Sequence, residues 1–151
     1  MTQEEKTLLF QDLSARLPYH VRVKVWLEEG DTEEGFLDLE HNYDDVLRDA
    51  FYYNKIVNIK PYLRPLSSMT KDEKCEFQNI LSNNKNGVWL EHSEVYDEKW
   101  EISVDSYYPY IRLEGFTNGF NWLNKKMFDY RGLIPMGLAF EAPEGMYNNK
   151  N

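Results

Sequence analysis

The sequence predicts an α+β fold: an N-terminal helix, an antiparallel meander or small barrel, and then a helix-hairpin-helix lobe. Three observations predict it. Apolar residues recur at helical spacing up to Leu17, the period drops to two from Val21, and a second helix-start signal at Thr70 follows a proline-containing run. The 151 residues form a single domain with two sub-lobes, 1–66 and 67–151.

The first helix opens at Thr2. Glu5 stands three residues later, so each side chain reaches the free amide of the other. Leu9, Leu13 and Leu17, with Phe10 beside them, form its apolar stripe, and Pro18 ends it. In "HVRVKVWLEE" the apolar Val21, Val23, Val25 and Leu27 alternate with Arg22, Lys24, Trp26 and Glu28, which is a strand with one face buried. The acidic "EEGDTEEG" reads as a turn, "FLDLEHN" resumes an extended pattern, and "VLRDAFYY" and "KIVNIK" supply two further strands. Pro61 and Pro65 lack the amide donor a ladder needs, so "KPYLRP" is expected to leave the sheet as a stiff connector.

Thr70 and Glu73 repeat the reciprocal cap, and Phe77, Ile80 and Leu81 give the second helix its apolar side. "VWLEHSEVY" and "KWEISVDSYY" pair as a hairpin about "YDEK", and "PYIRLEGF" is a candidate third strand. Asn118 and Gly119 then precede a helix on which Phe116, Phe120, Leu123 and Met127 share a face. The tail "DYRGLIPMGLAFEAPEGMY" reads as an extended segment pinned by Leu133, Ile134, Leu138 and Phe140.

Composition narrows the function classes. Hydrophobic residues at 42% and aromatics at 15% belong to a packed globule. Acids outnumber cations 26 to 17, a net charge of −9, so phosphate backbones are repelled at long range and nucleic-acid binding is disfavoured on that ground. The single cysteine, Cys75, excludes an internal disulfide. An acidic N-terminus and the absence of an apolar run of ~18 residues point to a cytoplasmic protein with no membrane association.

Two blocks, "IKPYLRPLSSMT" and "FNWLNKKMFDYRGLIPMGLAFEAPEGMY", together resemble a family of small uncharacterised proteins encoded by gut Bacteroidales and their phages or mobile elements. The resemblance implies a cytosolic accessory protein, phage-borne or carried on a mobile element, and it assigns no catalytic residue.

Candidate chemistry is sparse. "DLEHNYDDVLRD" offers Asp38, Glu40, Asn42, Asp44 and Asp49 at calcium-loop positions, but Tyr43 stands where the loop needs glycine, and the run reads as a solvated acidic turn. His20, His41 and His92 lie on separate segments, and Cys75 has no assignable base, so neither a metal site nor a thiol nucleophile is expected. No cofactor motif is present, and an enzyme ranks third with an acidic nucleic-acid mimic. The leading expectation is non-catalytic binding of an unidentified protein partner through Tyr62, Arg64, Tyr107, Tyr108 and Tyr110, since tyrosine is enriched at interfaces. The alternative is a single-stranded nucleic-acid module in which Arg22, Lys24 and Trp26 on one strand join Lys60, Tyr62 and Arg64 on the next segment. Against it, Arg22 and Lys24 are expected to pair with Glu28, Glu33 or Asp38 while Trp26 covers a seam.

Overall fold

The computed structural model describes residues 1–37, 56–82, 88–93, 99–104 and 113–148. The fold is α+β, and the chain divides into two compact units: residues 1–65 with 124–151, and residues 66–123. The tail, assigned from sequence to the sub-lobe 67–151, thus belongs by its contacts with the first unit.

In the first unit, helix α1 (Gln3–Arg16) begins at the expected reciprocal cap: Glu5 N–H donates to Thr2 Oγ1 at 3.1 Å and Thr2 N–H donates to Glu5 Oε2 at 2.6 Å. Strand β1 (Val21–Leu27) follows, with Val21, Val23 and Val25 fully buried and the residues between them half-exposed. The turn after it is shorter than the acidic run suggested. Leu27 and Asp31 close it by hydrogen bonding, Gly30 supplies the left-handed φ of 90°, and β2 (Thr32–Leu37) starts within "EEGDTEEG". Both Glu33 and Glu34 therefore lie in a strand.

Strand β3 (Ile56–Leu63) runs through Pro61 rather than leaving the sheet before it. Alternation explains how the sheet accepts the proline. Leu63 turns its carbonyl away from β1 to accept from Ala142 N–H at 2.7 Å, and Pro61, two residues earlier, turns its missing donor the same way. On that side the two-residue strand β6 (Phe140–Glu141) begins to pair only at Tyr62. Arg64 continues the pairing as an isolated parallel bridge to Phe128, so of the expected connector only Pro65, the last residue of this stretch of the unit, is left outside the ladder.

The sheet order is β2-β1-β3-β6, antiparallel except for the last pair. It is open, so the barrel alternative is not realised. The central strand is β1, flanked by β2 and β3, which is also not the order of a simple meander. One face packs against Leu13 and Leu17 and against Met127, which is buried at the end of a left-handed turn (φ 60°). Leu9, Leu63, Leu133 and Leu138 form an adjoining cluster with Ile134 packed against it, so the tail is pinned by three of its four expected residues. It is not the extended segment expected, because residues 130–139 run as successive turns and bends and only Phe140–Glu141 is a strand. "VLRDAFYY" and the candidate calcium loop lie outside the described residues, as does His41.

In the second unit, α2 (Lys71–Ser82) again starts at its predicted cap, Thr70 and Glu73 exchanging hydrogen bonds of 3.0 and 3.2 Å. Strands β4 (Val88–Ser93) and β5 (Lys99–Val104) form the expected antiparallel hairpin in the register Val88↔Val104 to Ser93↔Lys99. His92 falls in β4, and Cys75 is exposed on α2.

Helix α3 (Leu113–Lys125) corrects two expectations. The end of "PYIRLEGF" is its first turn and not a strand, and Gly119 lies inside it rather than ahead of it. The residues that turn inward are Gly115, Gly119, Trp122 and Leu123, while Phe120 is exposed. The glycines are accommodated because Leu81 of α2 crosses there: a Cβ on Gly115 would lie 2.5 Å from the Leu81 carbonyl oxygen. Trp122 packs on Phe77 with ring centroids 5.5 Å apart. No helix among the described residues is long and apolar enough to cross a membrane.

Candidate functional site

The half-exposed face of the four-stranded sheet gathers five of the six residues expected to recognise nucleic acid. On β1, alternation sends Arg22, Lys24 and Trp26 to the face opposite the buried valines. Register then sets their neighbours. Lys24 stands between Glu34 on β2 and Lys60 on β3, Trp26 between Thr32 and Asn58, and Arg22 beside Phe36. Tyr62 lies next to Phe140 across the parallel pair.

The rings form a continuous tract. Phe140 lies 6.0 Å from Trp26 and 5.3 Å from Tyr62 between centroids, each pair tilted by about 30°. Cations are spread across it: Lys60 Nζ is 5.4 Å from the Phe140 centroid and 5.9 Å from that of Trp26. Lys24 Nζ is likewise 5.9 Å from the Trp26 centroid, and the Arg22 guanidinium lies 5.6 Å over Phe36.

One carboxylate sits among them. Glu34 Oε1 accepts from the Tyr62 hydroxyl at 2.8 Å and faces Lys24 Nζ at 3.5 Å, while its Oε2 faces Arg22 Nη2 at 3.5 Å. The Tyr62 hydrogen bond, followed by the two cations, holds the Glu34 carboxyl below its ordinary range. Partial burial, and then the hydrogen bond to the Glu34 carboxylate and its charge, push the Tyr62 phenol up. The cations therefore pair with Glu34 and not with Glu28 or Glu33; Asp38 lies outside the described residues.

Arg64 does not join this face. Its guanidinium stacks on Phe128 at 4.2 Å, while its backbone amide donates to Met127 O and its carbonyl accepts from Asp129 N–H. Tyr107, Tyr108 and Tyr110 lie outside the described residues.

Sequence reasoning missed Phe36, Glu34 and Phe140 as members of the site. Phe140 has no local strand signal, since β6 is two residues long. Tyr147 was missed too. Its hydroxyl donates to Tyr62 O at 2.7 Å and accepts from Arg22 N–H at 3.3 Å, splicing β1 to β3 where their direct ladder stops.

Burial pushes the Tyr147 phenol up to about 12. Its folded value exceeds the unfolded value near 10, so its contribution to stability is complete below pH ~10 and is lost as the pH rises towards ~12. We expect this to remove about 2–3 kcal/mol. Urea midpoints measured at pH 9, 10.5 and 11.5 should fall more steeply for the wild type than for Tyr147→Phe, and parallel curves would refute the assignment.

A second surface feature lies between α1 and β3: an apolar groove of about 270 Å³ bordered by Leu9, Phe10, Leu13, Val57 and Ile59. Phe10 and Val57 on its rim are largely exposed. Among the described residues, no three His, Cys, Asp or Glu side chains converge as a metal-holding group. Comparison with protein-family models, curated proteins and solved structures returns no match to this chain.

Proposed function

We propose that this protein binds single-stranded nucleic acid on the outer face of the four-stranded sheet, without catalysing a reaction. Bases stack against Trp26, Phe140 and Tyr62, and the phosphates between them meet Arg22, Lys24 and Lys60. The observation that carries this reading is the direct opposition of Lys24 and Lys60 on neighbouring strands, both over the Trp26 ring. Like charges facing each other across a ladder are unfavourable, and an anionic strand lying over the ring relieves that cost. Among the described residues Glu34 is the one carboxylate that pairs with Arg22 and Lys24.

The overall charge of −9 acts against this reading at long range. At physiological ionic strength, charges beyond ~8 Å are largely screened, so contact between the strand and the three cations outweighs distant acids. The consequence is weak binding with a steep dependence on salt.

Anisotropy of a labelled twelve-nucleotide dT or U oligomer at 50 and 200 mM NaCl tests the proposal. Trp26→Ala is expected to weaken binding by roughly tenfold, the loss of one stacked base. Lys60→Ala should flatten the log–log salt slope by about 0.7, the value for one phosphate on a single strand. No association with either oligomer at low salt would refute the proposal and return attention to a protein partner.

A further inference from the structure

We infer that Arg22, Lys24 and Tyr62 form a phosphate subsite, which the Glu34 carboxylate fills in the free protein. The inference rests on the nucleic-acid reading and adds to it the residue that sets how readily a strand is admitted. A carboxylate and a phosphodiester present the same thing to these donors, a negative charge spread over oxygens that accept hydrogen bonds. The hydroxyl of Tyr62, a guanidinium and an ammonium converge from β3 and β1 on one point above the sheet, and Glu34 reaches that point from the edge strand β2.

The distances favour exchange. Only the Tyr62 contact, at 2.8 Å, is a short hydrogen bond; both cations stand back at 3.5 Å, within Coulombic reach but free to close on another acceptor. Arg22 Nε is shielded from solvent and finds no hydrogen-bond partner among the described residues. The Glu34 side chain is itself 34% exposed, and ion pairs of that kind hold by only about 0–1 kcal/mol. A phosphate can therefore displace it. The neighbouring ring tract starts at Tyr62 and continues through Phe140 to Trp26, so a phosphate seated here leaves its flanking base over Phe140.

Glu34→Gln keeps an acceptor for the Tyr62 hydroxyl and removes the competing charge. The variant should bind the dT oligomer about two- to fivefold more tightly than the wild type, with the salt slope steeper by about 0.7. A dT oligomer with an uncharged methylphosphonate backbone reports on stacking alone, and its affinity should not change. Glu34→Thr, a good strand former at the same outward position, should behave like Glu34→Gln and serves if the glutamine variant folds poorly. If the wild type binds and neither variant binds more tightly, the subsite is wrong and the nucleic-acid reading stands. If the gain is equal on the uncharged backbone, the subsite is likewise wrong. If no form of the protein binds, both readings fall.

Discussion

Asp12→Ala is expected to destabilise the first unit by about 3–5 kcal/mol, a large share of the ~5–15 kcal/mol that holds a domain of this size together. Asp12 and Arg16 are both fully buried on α1 and meet through two hydrogen bonds, Nε to Oδ2 at 2.7 Å and Nη2 to Oδ1 at 2.9 Å. Arg16 Nη2 also donates to the Phe128 carbonyl at 2.9 Å, fastening the helix to the C-terminal segment. Arg131 comes within 3.4 Å of Asp12, and the Arg16 guanidinium lies 5.6 Å from the Tyr130 ring centroid. Truncating Asp12 leaves a buried guanidinium with its charge uncompensated, which costs far more than the pair contributes when intact. Replacing both partners, as Asp12→Leu with Arg16→Met, should therefore recover most of the loss. Urea denaturation followed by circular dichroism measures both. A loss below about 1 kcal/mol for Asp12→Ala would mean that the pair is solvated.

Gly115→Ala should also destabilise, by about 1–3 kcal/mol or more, although alanine is favoured over glycine in a helix by about 1 kcal/mol. The sign is the informative part. The new methyl would meet Leu81 O at 2.5 Å and Leu81 C at 3.3 Å, and backbone atoms in the last turn of α2 cannot rotate aside. Gly119→Ala meets Leu81 Cδ2 at 2.8 Å, the end of a side chain that can change rotamer, and should cost less. Thermal melts of the two variants should rank them in that order. A Gly115→Ala protein at least as stable as the wild type would show that α2 and α3 do not approach this closely.

Signals that act within one turn or one strand were legible in the sequence. Both reciprocal caps, the alternation of β1 and the β4–β5 hairpin are of this kind, and alternation also placed Arg22, Lys24 and Trp26 on one face. What could not be read depends on distant neighbours. Pro61 stays in β3 because, on the side its amide would face, β6 begins to pair only at Tyr62 and no other strand among the described residues pairs there. Gly115 and Gly119 occupy the inward stripe of α3, where a search for apolar residues passes over them. Asp12 and Arg16 look like a surface pair by their spacing, yet in the fold both are buried and meet Phe128, Tyr130 and Arg131 of the distant tail. In the candidate site, Phe140 and Glu34 arrive through strand pairing that no local pattern announces, whereas Arg64, two residues after Tyr62, is drawn out of the face by Phe128.

The Tyr147 splice bears on how the molecule is made. Its hydroxyl joins partners 125 and 85 residues earlier in the chain, so β1 and β3 emerge from the ribosome long before the group that ties their ends together. During synthesis the nascent sheet must wait with that seam unlatched, exposed to chaperones and proteases until residue 147 has been added and has cleared the exit tunnel.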